Sequence, residues 1–130
     1  NLAGQGKGDI LGHRLELAAS RYTPVNAELI PTGEMLPVAG TPFDFRAAKA
    51  VGRDIDTAAE QLRLGNGYDH HFCVDGAGLR RAAVLRGDSS GMAARTDKEE
   101  TNRRRVIFFS IQPQRYSVCS RLANWRLITC

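Results

Sequence analysis

Glycine is absent from the last 39 residues of this 130-residue chain, although 13 glycines stand at or before Gly91. Cysteine is scarce throughout. Cys73, Cys119 and Cys130 lie far apart, with no CxxC or Cys/His ligand spacing, which excludes a zinc module. An odd count of scattered cysteines also argues against a disulfide framework, so a reduced, cytoplasmic protein is expected. Long hydrophobic runs are missing as well. None is longer than Val106-Ile107-Phe108-Phe109, which ends at Ser110 and falls far short of the roughly 20 residues of a membrane helix. Residues 1–9 are Gly-rich and polar and show no basic-then-apolar leader. Gly4-Gln5-Gly6-Lys7-Gly8 lacks phosphate-loop spacing, and no Ser nucleophile elbow is present.

What is present suits one globular domain. The chain is 42% apolar and 25% charged, and at this length it can bury a core without disulfide or metal. The net charge of +4 is unevenly spread. Residues 1–91 carry 10 Lys+Arg against 11 Asp+Glu, whereas residues 92–130 carry 8 against 3. Composition therefore changes at Gly91 in both charge and glycine.

The periodicity predicts an all-β architecture. Residues 10–17 (Ile-Leu-Gly-His-Arg-Leu-Glu-Leu) alternate in the manner of a half-buried strand. Tyr22 to Val25 continues extended, because the residue before Pro24 is pushed out of helical geometry. Pro24, Pro31, Pro37 and Pro42 leave no room for a helix between them. Thr41 to Phe45 reads as a short strand. The only helix expected is short, over about 54–64, capped by Asp54 or Asp56 and stopped by Gly65. Strands are expected at His70–Val74 and Leu79–Leu85, joined by the hairpin-type turn Asp75-Gly76-Ala77-Gly78. Val106–Ile111 and Tyr116–Cys119 also have strand composition. Short strands punctuated in this way indicate a β-sandwich.

Chemistry concentrates in Gly67-Tyr68-Asp69-His70-His71-Phe72. A carboxylate beside imidazoles suits acid–base work, since histidine titrates near neutrality. On a strand, Asp69 and His71 face one side and His70 the other. The plainer reading is a turn Asp followed by two ordinary strand histidines. Adjacent His70 and His71 diverge, so they make a poor metal pair, and no metal site is assigned. His13, on the apolar face of its strand, reads as a hydrogen-bonded packing residue, and Cys73 as a buried small hydrophobe. Arg103-Arg104-Arg105 with Tyr116 and Trp125 could form a basic nucleic-acid surface. A solvated charge run is the commoner outcome, and nucleic acid is not the expected partner.

Four segments together resemble the aldose 1-epimerase (galactose mutarotase) family. They are Asn1-Leu2-Ala3-Gly4, residues 27–34 (Ala-Glu-Leu-Ile-Pro-Thr-Gly-Glu), residues 37–46 (Pro-Val-Ala-Gly-Thr-Pro-Phe-Asp-Phe-Arg), and Gly67-Tyr68-Asp69-His70. The similarity covers residues 1 to about 91, and the Pro/Gly-punctuated run is its most specific part. It implies a portion of a β-supersandwich over 1–91, followed by a divergent, basic, Gly-free tail over 92–130 that is expected to lie outside the family domain, as an out-of-frame or unrelated terminus or else a lineage-specific tail. Family members interconvert the α and β anomers of hexoses such as galactose and glucose, without metal or redox cofactor. A general-acid His protonates the ring oxygen and a general-base Glu takes the C1 hydroxyl proton. An Asp in the Gly-Tyr-Asp-His motif binds sugar hydroxyls, and that role maps onto Asp69, with His71 a further candidate where the family commonly has Asn. The family's acidic His lies in an Asn-His-Ser/Thr-Tyr-Phe segment leading into Asn-Leu-Ala-Gly, and its Glu in a Leu-Glu-x-Gln segment. The 130 residues contain neither, and Glu99 and Glu100 lack that context. No catalytic residue is therefore assigned, and an inactive piece is expected. A noncatalytic carbohydrate-binding remnant built on Asp69 is the alternative.

Overall fold

The computed structural model of the chain describes Leu2 and residues 8–88, 90–96, 105–111 and 127–129. Nine strands and one short helix occur among these residues. The strands are β1 (Arg14–Leu17), β2 (Ala19–Thr23), β3 (Leu36–Pro37), β4 (Lys49–Ala50), β5 (Tyr68–Val74), β6 (Arg80–Arg86), β7 (Gly91–Thr96), β8 (Arg105–Ile111) and β9 (Leu127–Thr129). The helix, α1, is Glu60–Leu64, and one 3₁₀ turn occupies Val51–Arg53. The strands form a four-stranded sheet, β4-β1-β6-β7, and a five-stranded sheet, β3-β2-β5-β8-β9. All pairings are antiparallel.

The chain changes sheet at Ala18. Its N–H bonds to the Ala82 carbonyl in β6, and its own carbonyl accepts from Asp75 at the end of β5. A register shift between Ala19 and Arg21 accompanies the crossing. The change of composition at Gly91 coincides with the start of β7, which pairs with β6, and β8 lies between β5 and β9.

Between the sheets lies a core made by both and by the loop joining β3 to β4. Leu15 and Leu17 from β1, Tyr22 from β2, and Tyr68 and Phe72 from β5 are buried, as are Phe43 and Phe45 from the loop. The Phe43 ring stacks on Tyr22 at 4.5 Å and meets His70 at 4.6 Å and Tyr68 at 5.6 Å, edge to face. Phe45 packs on Tyr68 at 4.9 Å. Such pairs add about 0.5–1.5 kcal/mol each beyond area burial. Between the two rings, Asp44 turns outward and pairs with Arg46, whose guanidinium holds the Asp44 carboxyl below its ordinary range. The buried Lys49 ammonium is satisfied from three sides. It donates to the Pro42 carbonyl and to Asp54 Oδ2, each at 2.6 Å, and lies 4.4 Å from the Phe45 ring centre.

Four local expectations are corrected. The turn Asp75–Gly78 makes no hairpin, because β5 and β6 stand in different sheets and pair with β2 and β8 and with β1 and β7 respectively. The first strand begins at Arg14 rather than Ile10, because Asp9 Oδ1 accepts the Leu11 N–H and the His13 N–H bonds back to Ile10. That Asp-led turn competes with the ladder. Thr41 to Phe45 is a turn, not a strand. The Thr41 hydroxyl donates to Val38 and accepts from the Phe43 N–H, and the Asp44 N–H returns to the Thr41 carbonyl. The helix begins at Glu60, with Ala59 at its N-cap and no side-chain cap. Asp54 is not its cap: the carboxylate engages Lys49, and the Asp54 carbonyl closes a separate turn with Thr57.

His70 belongs to this core and is only 1% exposed. Burial, with a smaller contribution from His71, lowers its pKa from 6.5 to about 4. The folded protein therefore holds a neutral imidazole where the unfolded chain would take up a proton. Between about pH 6.5 and 4 the unfolded state binds more protons, so stability is full above that window and falls as pH drops through it.

Two measurements check this packing. Phe43→Ala should lower the unfolding free energy by about 3–5 kcal/mol, read as a lower urea midpoint at unchanged slope, whereas Phe43→Leu should cost much less. The wild-type urea midpoint should fall from pH 7 to pH 5, by an amount equivalent to on the order of 2 kcal/mol. His70→Leu should remove most of that slope, and an unchanged slope would refute the neutral-histidine assignment.

Candidate functional site

The candidate site is built on β5. Asn66 and Gly67 precede it with φ of 48° and 119°, and at the second angle only glycine sits without strain. The strand then alternates strictly. Tyr68, His70 and Phe72 are buried in the core, while Asp69, His71 and Cys73 are half-buried on the opposite face. The sequence-derived division of Asp69 and His71 from His70 is thus the one the structure has. Directly opposed residues of an antiparallel pair share a face. Thr23 lies opposite His71 and Arg21 opposite Cys73 on β2, and the Asp69 backbone pairs in register with position 110 of β8. Asp69 and His71 therefore stand side by side near the centre of the five-stranded sheet, on the side away from the core.

Asp69 carries the most informative atom of the face. Its Oδ1 is buried and has no hydrogen-bond partner among the described residues. An unmatched buried acceptor costs about 1–3 kcal/mol. A carboxylate is acceptor-only, so the group that relieves the cost must be a donor such as a hydroxyl. Burial lowers the His71 pKa below its ordinary value, and the Asp69 carboxylate opposes the shift. His71 is thus neutral at pH 7, an imidazole beside a carboxylate, able to donate at one ring nitrogen and accept at the other.

The remaining sequence candidates have structural places. His13 is buried, and its Nε2 accepts the Leu2 N–H at 3.0 Å, as expected of a packing residue. Cys73 is half-buried rather than buried, with Sγ 3.2 Å from Met35 Sδ. No group of three or more His, Cys, Asp or Glu side chains is placed to hold a metal among the described residues. Arg103, Arg104, Tyr116, Cys119 and Trp125 lie outside the described residues, as do Glu99 and Glu100.

Two features escape sequence reasoning. One is an open cleft of about 520 Å³, lined in part by Thr41, Asp44, Arg46, Lys49, Arg53 and Asp54. Asp69 does not line it, and its charges pair with one another, Asp44 with Arg46 and Lys49 with Asp54. The other is Gln61 on α1, which binds Val25 and His70. Those partners lie 36 and 9 residues away, a spacing that carries no periodic signal.

Known proteins resemble the chain in sequence and in fold. The sequence profile of the family described as Aldose 1-epimerase matches residues 1–116 and so runs on past Gly91. Galactose mutarotase of Homo sapiens is 43% identical over 77 residues, 59% of this chain and 21% of that protein. Aldose 1-epimerase of Escherichia coli K12 is 38% identical over 78 residues, 60% of this chain and 22% of that protein. The crystal structure of galactose 1-epimerase from Lactobacillus acidophilus aligns with a TM-score of 0.54 at 29% identity, covering 76% of this chain and 25% of that one. The chain thus spans about a fifth of the length of the curated relatives it matches. With two antiparallel sheets packed on a shared aromatic core and a profile match across most of its residues, the chain belongs to the aldose 1-epimerase family.

Proposed function

We propose that this chain supplies the Asp69-bearing wall of a hexose site of the aldose 1-epimerase type, and that the 130 residues alone bind sugar without interconverting its anomers. The observation that carries the reading is the buried Asp69 Oδ1, which has no hydrogen-bond partner among the described residues, beside His71 on the outer face of β5. A pyranose presents a ring of hydroxyl donors, which matches an acceptor-only carboxylate. The relatives bear the names galactose mutarotase and aldose 1-epimerase, which makes galactose and glucose the sugars to try first.

Anomer interconversion needs two proton-transfer groups on one sugar, an acid at the ring oxygen and a base at the C1 hydroxyl. The segments that would hold them by family resemblance are not in the 130 residues. Asp69 and His71 are neighbours on one strand face and do not replace an acid and a base placed across a sugar ring. Losing even one such group lowers rates by roughly 10²–10⁴.

The test is polarimetry with binding. Fresh α-D-glucose or α-D-galactose should relax at the buffer rate in the presence of the purified 130-residue chain, and a faster relaxation would sink the inactivity claim. Galactose should perturb the NMR signals of β5. Asp69→Ala should weaken that binding by about tenfold or more, the equivalent of one charge-assisted hydrogen bond. Equal affinity in the variant would remove Asp69 from the site.

A further inference from the structure

Gln61 engages three groups at once. Its Oε1 accepts the Val25 N–H at 2.8 Å, and its Nε2 donates to the Val25 carbonyl at 3.1 Å. The same Oε1 lies 3.0 Å from His70 Nε2. On the other side of the ring, His70 Nδ1 accepts the Asp69 N–H at 3.2 Å. A backbone N–H can only donate, so Nδ1 bears no proton. A neutral imidazole has one N–H, which is then at Nε2 and donates to Gln61. The Val25 backbone fixes the orientation of the Gln61 amide by the same logic. One polar chain therefore runs Val25–Gln61–His70–Asp69, with every donor and acceptor assigned.

Its position in the sheet gives this chain a task. The β2–β5 ladder ends at the pair Thr23–His71. Two residues further in that register, Val25 would stand opposite Asp69. Val25 instead directs both backbone groups to Gln61 and bridges to Pro31. Asp69 thus lies two residues beyond the β2–β5 ladder and close to the left-handed turn at Asn66 and Gly67; β8 pairs with it at Ser110, while its N–H is taken by His70 Nδ1 rather than by β2. The ring that holds it has little freedom. Tyr22 and Phe43 meet it edge-on at 5.8 and 4.6 Å, and a Cβ at Gly65 would come within 3.1 Å of His70 Cε1. A side chain there would crowd the ring.

We propose that Gln61 is a positioning residue for Asp69: acting through His70, it fixes the backbone from which Asp69 presents its carboxylate to the ligand. The inference rests on Asp69 as the sugar-binding carboxylate. Gln61 touches no ligand itself. Its effect is to keep the His70 proton on Nε2, which leaves Nδ1 as the acceptor that Asp69 needs.

The experiment uses the 130-residue chain labelled with ¹⁵N, two variants, and galactose as the probe. At pH 7 the wild-type His70 should show a protonated Nε2 and an unprotonated Nδ1. Gln61→Leu should mix the tautomers, speed hydrogen exchange at the Asp69 amide by about tenfold, and weaken galactose binding by a similar factor. Gln61→Glu keeps the acceptor for His70 but loses the donor to the Val25 carbonyl. It should therefore retain the tautomer and the slow Asp69 exchange while loosening Val25. If Gln61 served only to clamp Val25, both variants would disturb Asp69 equally, or neither would, and the proposal would be overturned. A wild-type proton on Nδ1 would overturn it without any variant, so a Leu variant that fails to fold does not protect it. If galactose does not bind while the tautomer and exchange pattern hold, the sugar role of Asp69 falls and the relay stands.

Discussion

The fold depends on two phenylalanines that are not in any strand. Phe43 and Phe45 project from a turn into the space between the sheets and meet Tyr22, Tyr68, Phe72 and His70 there. Without them the two inner faces would have small and aliphatic side chains such as Ala19, Ala83, Leu15 and Leu17 set against an unfilled gap. A void of that kind forfeits dispersion contacts on every wall at once. The turn carrying the rings is held by bonds that have nothing to do with the sheet ladder. The Thr41 hydroxyl grips Val38, Asp44 pairs with Arg46, and Lys49 reaches the Pro42 carbonyl.

The same packing sets the chemistry of β5. A strand with one face locked against rings must direct its alternate residues outward, so burial of Tyr68, His70 and Phe72 forces Asp69 and His71 to the other side. His70 and His71 are neighbours in sequence and differ entirely in role. His70 is enclosed, with both ring nitrogens bonded, whereas His71 shares its face with a carboxylate. The Asp69 Oδ1 is buried and has no hydrogen-bond partner among the described residues, whereas the His70 ring is fully bonded.

Much of the fold was legible along the chain. The strands β5 and β6 and the turn at Asp75–Gly78 between them were legible, but the turn closes no hairpin: it carries the chain from one sheet to the other, which no local pattern signals. The other misread elements have one cause, local side-chain bonds that outbid strand or helix geometry: Asp9 to Leu11, Thr41 to Val38, and Asp54 to Lys49. The break in composition at Gly91 was equally plain, yet β7 begins there and pairs with β6, because strand pairing uses the backbone and tolerates a change of side-chain character.

By itself the sequence determined the all-β class, the family, and the two-sided character of the Asp69–His71 segment. Each of these rests on short-range pattern, whether turn residues at fixed offsets or the alternation of one strand. Only the tertiary structure decided that His70 is neutral and structural, that Asp69 holds an unmatched buried acceptor, and that Gln61 reaches both Val25 and His70. The physical reason is that burial and hydrogen-bond satisfaction are properties of the groups that enclose an atom. Here those groups come from β2, α1, β5 and the Phe43 turn, segments far apart in the chain that meet only once the sheets have closed on the aromatic core.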